Sequence, residues 1–441
     1  MDENREFLTT QLITYLGNKR SLLNFIGEGI KKVQEKLGRQ KLKMFDVFSG
    51  SGIVSRYLRQ FSQLLIVNDL EKYSKVINEC YLSNEDERDI PLLKEYYLDI
   101  IGQAEKELKP GIISELYAPA DDENILPGER AFYTRRNALY IDTVRQLIMK
   151  IPAGEQKYFL APLLSEASVH ANTSGVFKGF YKNSGGVGQF GGKDRNALSR
   201  ITGDIKLPFP VFSNYNCETI IFNGDSNRVI ETAPETDAAY VDPPYNQHPY
   251  GSNYFMLNLI LDYVYPEKTS KISGIPENWN RSSYNRENGA LQALTHLVQN
   301  IKSKFVIISF NSEGFLTADQ IKSILEKAGK YEMLETKYNA FRASRNLNNR
   351  EIHVREYLFL LEKYESGEIG FRITFSKSYK PHGSQTKTGC LKIYQSSPIA
   401  SREEIQKIVG QLISLKKDFD EISDKAFVEQ INKPSDFVYR E

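Results

Sequence analysis

Cysteine is scarce: the 441 residues include three, Cys80, Cys217 and Cys390. They are scattered, with no metal-ligand spacing and no even framework, so a disulfide scaffold and a zinc module are excluded and a reducing compartment fits. No apolar run approaches the length of a membrane span. The first twenty residues are polar and mixed in charge, with no signal-peptide core. A cytoplasmic protein without membrane contact is therefore expected. Charge of one sign is also missing. The net charge is +1, so a polyanion would have to be met by a local patch and not by the global field. There is no internal repeat and no long low-complexity segment, and the glycine spacing at Gly50 and Gly52 is not the dinucleotide pattern G-x-G-x-x-G. His248 stands alone in a loop, without a partner at metal or triad spacing, and reads as a substrate contact. No metal site is expected. Hydrophobic content of 40% and charged content of 26% are ordinary, and the length suffices for two or three domains.

Against these absences, several short stretches stand out. Residues Thr14 to Arg20 hold the turn signal Gly17-Asn18 beside Lys19 and Arg20. This turn suits an anionic or carboxylate group, and an amphipathic helix from Ser21 to Leu37 follows. Lys43 to Asp46 then reads as a strand running into the turn Val47-Phe48-Ser49-Gly50-Ser51-Gly52, with a helix from Ile53 to Phe61. Glycines let a backbone approach a ligand closely. A second strand, Leu64 to Asp69, ends in an acid about 20 residues after the glycines, where Rossmann-like folds hold ribose hydroxyls. Between Asn78 and about Ser168 the pattern is helical and polar, too long for a loop, and reads as an insertion.

The insertion runs into a Gly-rich segment in which Lys178, Tyr181, Lys182 and Phe190 interleave cations with aromatics. That composition suits a nucleic-acid backbone. Strand character resumes at Thr219 to Phe222 before Asp225. The next strand ends in Ala239-Tyr240-Val241-Asp242-Pro243-Pro244-Tyr245. The prolines break the strand, which leaves the Asp242 carboxylate and the Pro243 carbonyl as acceptors at its tip. Tyr245 adds an aromatic face, so the group suits a planar ring bearing an amino group. Alone, the stretch also reads as a strand followed by a Pro-Pro turn. Further strands are expected at Phe305 to Phe310, Tyr331 to Lys337 and Glu356 to Leu361. A cationic loop from Phe341 to Arg350 contains Arg342, Arg345 and Arg350. Residues 365 to 441 look like an addition, with two short strands and then helices from Arg402 onward.

In this order the motifs resemble those of the Dam-like, alpha-type DNA adenine-N6 methyltransferases, and within them the FokI-like restriction–modification branch. The carrying residues are Tyr15 to Arg20, Asp46 to Gly52 and Asp242 to Tyr245, with Asn253-Tyr254 and Ser309 to Gly314 adding to the match. The resemblance covers about residues 10 to 365. It implies an α/β fold, a Rossmann-like class I S-adenosylmethionine-dependent methyltransferase sheet with an inserted helical target-recognition domain and a C-terminal extension. The expected division is 1–79 and 216–364 for the catalytic domain, 80–215 for target recognition, and 365–441 for the extension, a further candidate for DNA contact.

The resemblance further implies S-adenosylmethionine as donor and an adenine flipped out of double-stranded DNA as acceptor. By the same resemblance Asp46, Phe48, Gly50, Ser51 and Gly52 line the donor site. Tyr15, Gly17, Asn18 and Lys19 close over it, Asp69 takes the ribose and Asp225 approaches the donor's adenine. Asp242 and Pro243, with Pro244 shaping the turn, hold the N6 amino group while Tyr245 stacks on the ring. Lys178, Lys182, Asn253, Tyr254, Arg342, Arg345 and Arg350 are expected to contact DNA. A monomer is expected, serving beside a restriction endonuclease of the same site without a stable complex. Two alternatives stay open on sequence: an RNA adenine-N6 methyltransferase, and a non-catalytic DNA-binding protein on the same fold.

Overall fold

In the computed structural model the described residues are 2–192, 195–244, 246–311, 314–337 and 355–364. Residues 338–339, 353–354, 369–379, 385–395, 427–430 and 437–440 are described by backbone alone. The main sheet has seven strands: β1 (Leu42–Asp46), β2 (Ser62–Asp69), β3 (Glu218–Asn223), β4 (Thr236–Val241), β5 (Ser303–Asn311), β6 (Gly329–Asn339) and β7 (His353–Lys363). Their order is β3-β2-β1-β4-β5-β7-β6. β1 to β5 pair in parallel, and β7 runs antiparallel to both β5 and β6. This is the class I methyltransferase sheet expected from the sequence.

The central strands are short and almost wholly apolar because both faces are covered. Side chains alternate between two cores, as strand geometry requires. Met44, Ala238, Tyr240, Phe305, Ile307, Leu358 and Leu360 share one face. Phe45, Ala239, Val241, Val306, Ile308, Phe359 and Leu361 share the other. The first face is covered by helix Leu23–Leu37, whose buried Leu23, Ile26, Ile30 and Val33 recur at helical spacing. Gly29 lets that helix lie directly on β7, since a Cβ there would come within 2.6 Å of Leu358 Cδ2. The helix stops at Gly38, whose φ of 63° suits a left-handed C-terminal cap.

Helices Ile90–Lys106, Ile112–Leu116, Arg135–Ile148 and Ala153–Val169 form the inserted region. Their core is continuous with Tyr73, Ile77, Cys80 and Tyr81 and with Tyr254 to Leu257. Helix Lys72–Tyr81 thus runs across the expected boundary at 79/80 and shares one core with the insertion and with helix Phe255–Asp262. A second sheet of four antiparallel strands, β8 (Ile369–Tyr379), β9 (Gln385–Gln395), β10 (Phe427–Gln430) and β11 (Phe437–Arg440), lies in the extension in the order β10-β11-β9-β8. No helix among the described residues is long and apolar enough to cross a membrane.

Candidate active site

Parallel strands bring their carboxyl ends to one edge. Asp46 and Asp69 end β1 and β2, and Asp225 and Asp242 follow β3 and β4. The strand order reverses between β1 and β4, and Asp46 lies in register with Tyr240 there. Open α/β sheets hold ligands at such a switch point. A cleft opens there, walled by the Tyr15–Lys19 segment, the Phe48–Ser51 turn, Asp69, Asp225, Asp242 and the two prolines after it.

The turn after β1 is built on positive φ values, 54° at Gly50 and 77° at Gly52. A Cβ at Gly50 would stand 2.8 Å from the Tyr15 ring, so only glycine fits between turn and ring. Asp69 Oδ2 accepts from the Gly50 N–H at 2.7 Å and its Oδ1 from the Glu71 N–H at 2.9 Å. Burial still pushes the Asp69 carboxyl up to about 6. Asp46 is wholly buried; its Oδ2 accepts from Ser55 Oγ at 2.6 Å, and its Oδ1 has no hydrogen-bond partner among the described residues. Burial raises Asp46 to about 7, and the Ser55 hydroxyl offsets this in part. Asn68 ties the third acid into place: its amide donates to the carbonyls of Val47 and Gly224. Asp225 caps the next helix by accepting from the Asn227 N–H at 3.0 Å, while also facing the cleft.

The N-terminal segment closes over this floor through an aromatic stack. Tyr15 packs against both Tyr250 and Tyr254, with ring centroids 4.8 and 4.7 Å away, and those two rings lie 5.9 Å from each other. Tyr250 donates its hydroxyl to the Leu16 carbonyl at 3.0 Å, and Tyr254 accepts from the Leu16 N–H at 2.7 Å. Gly17 turns the chain next, with φ 73°. Asn18 accepts from the Arg20 N–H at 2.8 Å through its side chain.

The basic turn meets a carboxylate that belongs to the protein itself. Lys19 is buried, with Nζ 3.2 Å from Asp242 Oδ1 and 3.1 Å from Glu356 Oε1. It lines the cleft from the Asp242 side, so its ammonium is engaged with that carboxylate where a donor contact was expected. Pro243 is buried and Pro244 partly so. Tyr245, Arg342, Arg345 and Arg350 lie outside the described residues.

The expected DNA contacts divide. Lys178 and Lys182 are exposed, Lys182 lying 4.9 Å from the Phe180 ring centroid. Lys178 also borders the loop after Pro244: burial first, and then the Lys178 ammonium, lower the His248 imidazole below its ordinary value. Asn253 and Tyr254, by contrast, present almost no surface here. They are 2% and 0% exposed, because the helix ending at Asn253 packs into the shared core and Tyr254 clamps the N-terminal segment.

Three contributors escaped the sequence reading. Glu71 is 2% exposed on the cleft wall, accepts from Asn258 Nδ2 at 2.7 Å, and burial raises it to about 7. Tyr250 faces the cleft from a helix that only tertiary packing brings there. Glu356 did leave a signal: it shares strand parity with Leu358 and Leu360, a charge on an apolar face.

Comparison with known proteins bears on the same residues. The chain is 29% identical over 361 residues to the type II methyltransferase M.NlaIII of Neisseria lactamica, covering 80% of this chain and 99% of that one. It is 30% identical over 357 residues to the type II methyltransferase M.CviAII of Paramecium bursaria Chlorella virus 1, covering 79% and 98%. Similarity to the type II methyltransferase M.FokI of Planomicrobium okeanokoites is 27% over 414 residues, spanning 92% of this chain and 60% of that longer one. The family model that matches spans residues 15–324, from the Tyr15 stack through the glycine turn and Asp242 and into the helix after β5. Sheet order, cleft and matched span agree, and the chain belongs to the D12 class N6 adenine-specific DNA methyltransferase family.

Proposed function

We propose that the chain methylates N6 of an adenine turned out of duplex DNA, using S-adenosylmethionine held in the cleft, as the modification enzyme of a restriction–modification system. The carrying observation is that Asp242 and Pro243 share one cleft with the Gly50 turn, with Asp69 at the end of β2 and with Asp225 after β3, while Asp46 is buried beneath the turn and does not line it. S-adenosylmethionine, when bound, supplies a methyl group on a positively charged sulfur. The chain's own residues fit such a cation: Asp46, Asp69 and Glu71 are buried carboxylates of raised pKa, and Asp46 Oδ1 has no hydrogen-bond partner among the described residues. Asp69 is assigned the ribose hydroxyls, Asp225 and Phe48 the donor's adenine, and Tyr15, Gly17 and Asn18 the covering wall with Ser51 and Gly52 below.

An exocyclic amino nitrogen is a weak nucleophile because its lone pair is delocalised into the ring. Asp242 and the Pro243 carbonyl accept its two hydrogens, favour a pyramidal nitrogen and free the lone pair. Positioning and exclusion of water supply the remainder of the rate. Tyr245 is assigned to stack on the extruded ring. Region 80–215 is assigned to target recognition, with Lys178 and Lys182 on DNA phosphates beside the mouth of the cleft. The test is transfer of labelled methyl from S-adenosylmethionine to unmodified duplex DNA, followed by digestion and identification of N6-methyl-2′-deoxyadenosine. Asp242→Ala is expected to abolish incorporation while donor binding survives; turnover by that variant sinks the assignment.

A further inference from the structure

Behind Asp242 lies a buried charge cluster that donor and acceptor binding do not require. Lys19 and Glu356 are 2% and 1% exposed, and the lysine ammonium is shared between Asp242 Oδ1 at 3.2 Å and Glu356 Oε1 at 3.1 Å. Ser309 Oγ donates to the same Glu356 oxygen at 2.5 Å, and Glu356 Oε2 has no hydrogen-bond partner among the described residues. The Tyr240 hydroxyl lies in the field of Asp242, Lys19 and Glu356, Tyr250 feels Asp242 and Lys19 from the cleft, and Asp46 feels Asp242 from β1. Ser309, Tyr240 and Glu356 share the sheet face covered by the helix after Lys19, so fold and register assemble the cluster.

One lysine between two carboxylates leaves a net negative charge. Burying a carboxylate with an unsatisfied oxygen is costly, so a merely structural ion pair would be better built without Glu356. Its consequence for Asp242 is electrostatic. An acid paired with a whole ammonium is a weak hydrogen-bond acceptor, and Glu356 draws part of that ammonium's charge away.

We propose that Glu356 is a positioning residue for methyl transfer: through Lys19 it keeps Asp242 both fixed and a strong acceptor, and it leaves the cluster net negative behind the amino nitrogen as positive charge develops there. This rests on Asp242 being the amino-group acceptor. Such preorganised charge acts on the transition state and not on ground-state binding, so it appears in kcat.

The test is Glu356→Gln, which keeps the shape and an oxygen for Ser309. The expected result is a kcat lower by about tenfold to a hundredfold with unchanged KM for donor and DNA. Both limbs of the kcat–pH profile move to lower pH, by about one unit. Losing Glu356 removes an opposite charge from Lys19, which then deprotonates earlier, and a like charge from Asp242, which then protonates later. Glu356→Asp restores the charge at longer reach and places both limbs between Gln and wild type. Limbs of Glu356→Gln at the wild-type positions, whatever its thermal midpoint, overturn the proposal. If that variant does not fold, limbs of Glu356→Asp at the wild-type positions overturn it equally. Asp242→Ala in parallel separates the failures. Turnover there removes Asp242 from the chemistry, whereas an inactive Asp242→Ala beside an unshifted Glu356 variant removes only Glu356.

Discussion

The two sides of the cleft treat charge in opposite ways. On the β1–β2 side, Asp46, Asp69 and Glu71 are buried with raised pKa values and are held by hydroxyl, backbone and amide donors. On the β4 side, Asp242 meets a buried lysine supplied by the protein. The difference teaches which charge each side awaits. A site that is to accept a cationic ligand keeps its carboxylates without a resident cation, since an internal lysine would compete. A site that is to grip a neutral amino group needs one carboxylate fixed in place, and a lysine shared with a second acid fixes it without neutralising it.

This contrast is most exposed at Asp242. Asp242→Ala should lower methyl incorporation by about a thousandfold or more while donor affinity changes little. Parallel loss of donor binding would show that the two sides are not separable. Gly50→Ala tests the other side. It places a Cβ 2.8 Å from Tyr15 at a φ of 54°, a strain of about 1–3 kcal/mol. Donor affinity should fall by about tenfold to a hundredfold. Trp279 is the sole tryptophan and precedes Asn280 on the cleft wall, so its fluorescence reports the titration.

The protonation contrast predicts a smaller, graded effect. On the cleft wall, burial raises the Asp69 carboxyl to about 6 and the Glu71 carboxyl to about 7, so these groups hold protons in the empty protein below neutrality. A cationic donor must displace them, and its affinity should weaken by about tenfold for each proton per pH unit as pH falls from 7 toward 5. Calorimetry in buffers of different ionisation heat counts the protons released, and Asp69→Asn should remove one. The sign for stability is the reverse. Carboxyls that bind protons more tightly folded than unfolded make the empty protein lose stability as pH rises from about 4 to 7. Donor binding restores it. A thermal midpoint for the empty protein that rises across this window would contradict the assignment. The smallest effect belongs to the exposed lysines. Lys178→Ala with Lys182→Ala should weaken binding to all duplex sequences alike and reduce the salt slope of log K by about 1.8. A changed sequence preference would place them on base edges instead.

Much of this was legible locally. The glycine turn, the acids at strand ends and the Pro-Pro break are written in contiguous residues, because turn chemistry and strand termination act over a few positions. The alternation that buries Met44 and Phe45 on opposite faces is equally local. Burial was not so legible. Asn253 and Tyr254 follow a polar aromatic loop and look solvent-facing, yet packing against the insertion puts them in a core. Glu71 looks like a surface acid after a strand, and only Asn258 and Asn280, arriving from distant segments, make it part of the cleft.

The sequence by itself determined that a glycine turn, several acids and a Pro-Pro break sit at the carboxyl edge of a parallel sheet, because strand polarity, turn residues and side-chain alternation are short-range properties. Only the tertiary structure decided what each charge does. Lys19 reads in sequence as part of a basic turn suited to an anionic ligand. The sheet order that places β7 beside β5 and β4 beside β1 brings Asp242 and Glu356 to its ammonium. Coulombic coupling acts through space between residues far apart in the chain, and no pattern along the chain records it.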